Sequence, residues 1–299
     1  MPEEYISVIG SLNYDILMKQ KRLPLKGETY TADGVSYEGG GKGANQAVQC
    51  SKLGVPTYLF GKVGNDSFGD ALIGKITQYG VRANYLERSR KDTGLGIVHV
   101  LEDGAVYASV ITGANYDIGL EDIEKAENII YKSKIIILQM EIPINVVENI
   151  IYKAKSHGVY VILNAAPAKD INREALKKVD CLVVNEMEAS YYTGEEIYDE
   201  ETAIKHACKL TALTNGAVII TLGKNGSILC HEKSCIPIPS VTVEAVESTG
   251  AGDSYIGAFA YSKFVGRTDE EACRFAARAA AMTVTKVGAQ GAMPYLAEL

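Results

Sequence analysis

The sequence predicts an α/β protein with a doubly wound, mostly parallel sheet, and three features of its patterning predict it. Short runs of continuous hydrophobicity mark strands buried on both faces, as in parallel sheets covered by helices. Each run leads into a longer amphipathic segment, and this order repeats along most of the chain. Two segments break it by alternating apolar and polar residues in the manner of half-exposed strands.

In chain order, Tyr5–Ile9 reads as the first strand and stops at Gly10. Asp66 and Ser67 can cap a helix whose apolar residues Phe68, Leu72 and Ile76 sit at helical spacing before Gly80 closes it. The run Ile135–Met140 leads into a helix over Asn145–His157, and Val159–Leu163 runs to Asn164. Cys181–Val184 precedes a helix at 186–193, and Ala217–Thr221 follows one at 200–214. Asp269, Glu270 and Glu271 place acids at the start of an Ala-rich helix, where the helix dipole favours them. The exceptional segments are 12–37 and 93–113, the second with a turn at Glu102-Asp103-Gly104. They interrupt the βαβ series, so they predict a small antiparallel sheet standing off a single domain, 1–299, as a lid.

Composition narrows the function. The net charge is −7, with both signs scattered, and no basic stripe of the kind that neutralises nucleic-acid phosphates is present. No run reaches the length of a spanning helix and the N-terminus carries acids, which points to a cytoplasmic protein with no membrane partner. The six cysteines form no C-x-x-C pair, and they read as reduced thiols.

Six segments carry the chemistry. Gly250, Ala251 and Gly252 have little or no side chain ahead of an apolar helix over Ala258–Val265, so backbone N–H groups there can close around a phosphate. Asp253 is placed to take a proton from a hydroxyl attacking a phosphoryl group held by those amides; a capping aspartate after a tight turn is the simpler alternative. Gly39–Asn45, ahead of a helix over Gln46–Leu53, fits neither a Walker A loop nor a dinucleotide fingerprint. Its glycines, Gly40 and Gly41 among them, let a small polyol approach the backbone, and Asn45 offers a donor and an acceptor. Asn13 and Asp15 follow the first strand and share one face of an extended segment, while Glu141 ends the run Ile135–Met140. Asn185 and Glu188 sit three apart at a helix start, where Glu188 can hold the water shell of a magnesium ion or simply complete a capping box. Thr221 and Gly223 end another buried strand in a glycine turn suited to a nucleotide.

Together these segments resemble the ribokinase family of PfkB-type sugar kinases, with Gly288-Ala-Gln290 and Leu163–Ala168 in the same order across nearly the whole chain. The resemblance implies a ribokinase-like three-layer α/β/α sandwich with nine strands in its sheet and a β-sheet lid, ATP as donor, Mg²⁺ as working metal and a homodimer formed through the lids. It implies Asp253 as catalytic base and Gly250, Ala251 and Gly252 as anion hole. Asn13, Asp15, Gly40, Gly41, Asn45 and Glu141 match sugar-binding positions, and Asn185, Glu188, Thr221 and Gly223 match nucleotide and magnesium-side positions. Glu247 departs from the aspartate that the family commonly carries in a monovalent-cation loop, but it keeps a carboxylate there, so the resemblance leaves K⁺ as a further ion. The substrate it implies is D-ribose, phosphorylated at the 5-hydroxyl. Fructose or a nucleoside is the alternative, the latter because Tyr14 offers a ring that can stack on a base. A catalytically silent nucleotide- or sugar-binding protein is a further reading. A nicotinamide oxidoreductase is disfavoured by the single glycine in Gly10–Asp15.

Overall fold

The computed structural model describes residues 3–102, 105–232 and 234–299, so Asp103 and Gly104 of the expected lid turn lie outside the described residues. The chain opens with β1 (Ile6–Ile9), β2 (Asn13–Gln20), β3 (Gly34–Gly40), α1 (Lys42–Lys52), β4 (Thr57–Gly64), α2 (Ser67–Gln78) and β5 (Arg82–Ser89). It continues with β6 (Gly94–Leu101), β7 (Val106–Ile111), α3 (Leu120–Lys125), α4 (Glu127–Ile130), β8 (Ile135–Gln139), α5 (Ile144–Ser156) and β9 (Tyr160–Asn164). Then follow α6 (Arg173–Leu176), β10 (Cys181–Asn185), α7 (Glu186–Thr193), α8 (Glu200–Thr211) and β11 (Ala217–Thr221). The chain ends with β12 (Ser227–His231), β13 (Ser234–Ile238), α9 (Ala251–Phe264) and α10 (Asp269–Val284).

A nine-stranded sheet in the order β13-β12-β11-β10-β9-β8-β1-β4-β5 forms the body. It is parallel from β11 through β5 and antiparallel at β12 and β13. The continuous apolar runs have a direct cause. Ile6, Val8, Ile135 and Ile137 face one buried cluster, with α1, α9 and α10, while Ile9, Ile136 and Leu138 face the other, with α5 and α8. Alternate residues of the same strand thus fill two cores, which favours apolar residues on both faces of the strand. The strand order reverses between β1 and β8, and an open α/β sheet places its ligand crevice at such a point, beyond the carboxyl ends of the strands.

The two exceptional segments form a second sheet in the order β3-β2-β6-β7. The expected antiparallel pairing holds for β2 with β3 and for β6 with β7, but β2 and β6 run parallel. The reason is topological: β2 and β6 leave the body from the carboxyl ends of β1 and β5, which point the same way in one parallel sheet.

Two further expectations change. The glycine segment does not wait until Gln46 to turn helical, because Gly41 adopts φ 86° as N-cap and α1 starts at Lys42. A Cβ on Gly41 would lie 2.7 Å from the Asn13 nitrogen and 2.8 Å from the Ser11 oxygen, so only glycine lets the helix start so close to the β1–β2 turn. The cysteines are not all free: Cys230 and Cys235 stand opposite each other in the β12–β13 register and are joined as a disulfide. Four others are free thiols, of which Cys208 brings its sulfur 3.4 Å from that of Cys235.

Candidate active site

The first turn of α9 and the first turn of α1 face each other beyond the ends of β1, β8 and β9, and their side chains meet. Gly250 caps α9 in the left-handed conformation, φ 77°, and Asp253 lies in the first turn, buried at 8% exposure. Asn45 Nδ2 donates to Asp253 Oδ2 at 2.9 Å, and Gln46 Nε2 donates to Asp253 Oδ1 at 2.9 Å. Burial pushes the Asp253 carboxyl up. The Lys42 ammonium and the Asn45 and Gln46 amides pull it back, and Glu141 adds to the rise. The N–H groups of a helix's first turn have no intrahelical acceptor. Ala251 spends its own on Ser248 O at 3.2 Å, which leaves Gly252 and Asp253 as the amides best placed for an anion.

Behind these residues runs a network of buried amides that sequence reasoning left without roles. Gln139 Nε2 donates to Gln46 Oε1 (2.7 Å), Gln46 Nε2 also reaches Asn164 Oδ1 (3.2 Å), and Asn164 Nδ2 donates to Val183 O (3.3 Å). Gln290 Nε2 donates to Asn45 Oδ1 at 3.0 Å. The network fixes the amide orientation of Asn45 and Gln46, so that each presents NH₂ rather than oxygen to Asp253. Gly10 makes room for it: a Cβ there would fall 1.8 Å from Gln139 Oε1.

The sugar-side candidates lie on β2 and β3 and just beyond the carboxyl end of β8, beside the start of α1. Asn13 is buried and its Oδ1 accepts from Asn115 Nδ2 at 2.7 Å. Asn115, in a 3-10 turn over Gly113–Asp117, also exchanges hydrogen bonds with the Leu12 backbone. Glu141 Oε2 accepts from Ser11 Oγ (2.5 Å) and from the Lys42 N–H (3.3 Å), so it caps the start of α1. Asp15 sits between two glycines: a Cβ on Gly40 would lie 2.0 Å, and on Gly96 2.2 Å, from its carboxylate oxygens. Burial, with Glu141, Glu38 and Asp253 nearby, pushes the Asp15 carboxyl up to about 7. Tyr14 points to the opposite face of β2 and packs on Phe68 (4.7 Å between ring centroids) and Tyr37 (6.1 Å).

Lys42, the first residue of α1, belongs to the same group of charges. Burial pushes its ammonium down, but the negative charges of Asp253, Glu141 and Glu188 more than reverse this and raise it overall. Asn185 and Glu188 form the capping box of α7: Asn185 N–H donates to Glu188 Oε2 (2.9 Å) and Glu188 N–H donates to Asn185 Oδ1 (2.9 Å). Burial pushes the Glu188 carboxyl up, opposed by the Asn185 N–H and by Lys42. Thr221, half-buried, donates weakly to Val184 O at 3.4 Å, and Gly223 opens the turn beyond β11 at φ 52° with no atom near its Cβ position. Glu247 reaches across to accept from the Gly288 N–H at 2.9 Å, tying the segment before the Gly250 turn to the loop after α10.

The model of the pfkB family of carbohydrate kinases matches residues 3–296. The chain is 37% identical over 297 residues to a ribokinase of Bacillus subtilis, covering 97% of this chain and 96% of that one. It is 33% identical over 293 residues to a deoxyribokinase of Salmonella typhi, covering 97% and 95%. Among solved structures it resembles Arabidopsis thaliana ribokinase, solved in complex with ribose and ATP, with a TM-score of 0.91 at 32% identity over 99% of this chain and 97% of that one.

Proposed function

The chain belongs to the pfkB family of carbohydrate kinases, and from that premise we propose that it transfers the γ-phosphoryl group of ATP to the 5-hydroxyl of D-ribose. The observation that carries the reading is the buried Asp253 carboxylate, held by Asn45 and Gln46 at the start of α9 and close enough to Asp15 and Glu141 for their charges to act on one another. These short polar groups suit hydroxyls, so an unphosphorylated sugar fits. The ring of Tyr14 is occupied by Phe68 and Tyr37, which favours a sugar over a nucleoside.

In the mechanism, Asn13, Asp15, Asn45 and Glu141 orient ribose, with Gly40 and Gly41 allowing close approach. Asp253 accepts the proton of the attacking hydroxyl as the new O–P bond forms and the bond to the leaving ADP oxygen breaks. The Gly252 and Asp253 N–H groups at the start of α9, opened by the Gly250 turn, and the Lys42 ammonium stabilise charge on the transferring group. Asn185, Thr221 and Gly223 flank the nucleotide. Bound magnesium would neutralise phosphate charge; Glu188, with one carboxylate oxygen left over by the capping box, would hold its water shell. Turnover of ribose with ATP, followed by ADP release, tests the reading, and failure to phosphorylate ribose would overturn it.

Asp15 gives this reading a pH dependence. With its carboxyl raised to about 7, Asp15 is mostly protonated below that pH, and one of its oxygens then donates instead of accepting from sugar hydroxyls. We expect kcat/KM for the sugar to fall as pH drops through about 7 while the KM for ATP stays nearly constant; a flat profile down to pH 5.5 would remove Asp15 from sugar recognition.

The Glu247 side chain accepts from the Gly288 N–H beside the anion-binding turn, at the position that the family resemblance gives to a monovalent-cation loop. Turnover should therefore be higher in K⁺ than in buffer free of K⁺ and Na⁺, and equal rates would exclude the site. The small sheet is the lid over the sugar, and Val35, Tyr37 and Tyr107 leave about half of their surface exposed on one of its faces (53%, 53% and 51%). Such a patch suits pairing of two lids into a homodimer. Sedimentation equilibrium should give twice the chain mass, and Tyr37→Glu should shift it toward the monomer. ATP as donor fits a cytoplasmic setting; among the described residues no helix is long and apolar enough to cross a membrane.

A further inference from the structure

Lys52, in the last turn of α1, is 5% exposed and has no carboxylate within salt-bridge distance among the described residues. Its ammonium instead donates to three backbone carbonyls of the segment that follows α10: Gln290 O at 2.8 Å, Met293 O at 2.8 Å and Gly291 O at 3.4 Å. The rings of Tyr79 and Tyr295 close over it at 4.6 and 4.8 Å. An ammonium has three donors and no acceptor, so one lysine meets the need of converging carbonyls that would otherwise be desolvated together.

The same segment carries Gln290, which donates to Asn45, which donates to Asp253. It also carries Ala289, whose Cβ would lie 3.0 Å from a Cβ on Gly250, and Gly288, which donates to Glu247. We propose that Lys52 is a positioning residue for phosphoryl transfer: its cationic form gathers the 290–293 carbonyls and so fixes the Gln290–Asn45–Asp253 chain and the wall of the anion-binding turn. The proposal rests on the kinase reading of that site. Gln49, one turn earlier on α1, supports the same segment by donating to Pro294 O at 3.1 Å, but it carries no charge and does not titrate.

The groups facing Lys52 are the Tyr79 and Tyr295 rings, Glu298, and Lys286, which is itself paired with Glu298 at 2.9 Å. Burial pushes the Lys52 ammonium down to about 8, with Glu298 opposing and Lys286 adding to the shift. A neutral amine turns a lone pair toward a carbonyl, so the segment should loosen as pH rises through that value.

The test compares wild type, Lys52→Arg and Lys52→Met. Without any substrate, hydrogen exchange of the 288–293 amides at pH 7 and pH 9.5 should show lost protection at the higher pH in wild type and retained protection in Lys52→Arg, whose charge persists. With ribose and ATP, the alkaline fall of kcat should move up by at least about one pH unit in Lys52→Arg. Lys52→Met should lose about tenfold or more in kcat with little change in the KM for ATP. Superimposable exchange and alkaline limbs for wild type and Lys52→Arg, or full kcat in a folded Lys52→Met, would overturn the proposal. The exchange arm needs no sugar, so it separates failure of this role from failure of the ribose assignment.

Discussion

Asp253→Asn should lower kcat by at least about two orders of magnitude while leaving ATP binding nearly intact. The effect has two parts. The substituted amide cannot accept the hydroxyl proton, and its NH₂ must face either the Asn45 or the Gln46 NH₂, since both present donors to the carboxylate. The network that orients those amides includes Gln139 and Gln290, so neither flips without losing a buried partner of its own. The check is steady-state kinetics beside ATP-analogue titration. A variant with near wild-type turnover would place the base elsewhere.

Lys42→Met should lower kcat by about a hundredfold, near 3 kcal/mol of transition-state stabilisation. The ammonium balances the negative charges of Asp253, Glu141 and Glu188, and its removal leaves those three carboxylates without that balance. The sign of the accompanying pH effect follows. Lys42 pulls the Asp253 carboxyl down, so without it that carboxyl rises further and a smaller fraction is ionised at neutral pH. The acid limb of kcat should therefore shift to higher pH in the variant. An unmoved limb with unchanged kcat would mean that Lys42 serves only the start of α1.

Much of the fold was legible because its central strands are buried on both faces, which leaves the unbroken apolar signature of residues 135–138 or 217–220. The edges were harder to read. β5 carries Arg82, Asn84, Glu87 and Arg88 because only part of it is covered, and β13 contains Pro237, which an edge strand tolerates. The parallel pairing of β2 with β6 is a property of where two distant segments leave the body, and local pattern holds no record of it.

In the site, residues within glycine motifs were legible one by one. The partners that set their geometry were not, because Gln46, Gln139, Asn164, Gln290 and Asn115 are ordinary amides that folding alone brings together. A usable signal existed in their placement: Gln139 and Asn164 each sit at the carboxyl end of an apolar run, where a buried polar side chain needs a reason. The Asn185–Glu188 spacing carried two meanings at once, and the capping box is realised while Glu188 still keeps one oxygen for the crevice.

The central claim is the identity of the acceptor, and kcat/KM measured side by side with ATP for D-ribose, 2-deoxyribose, fructose and adenosine tests it most directly. A site built to pair with each hydroxyl leaves a protein group unpaired when one is missing, so ribose should lead, 2-deoxyribose should trail it, and the product should carry its phosphate on the 5-oxygen. Fructose, adenosine or 2-deoxyribose ahead of ribose by tenfold or more would contradict the assignment.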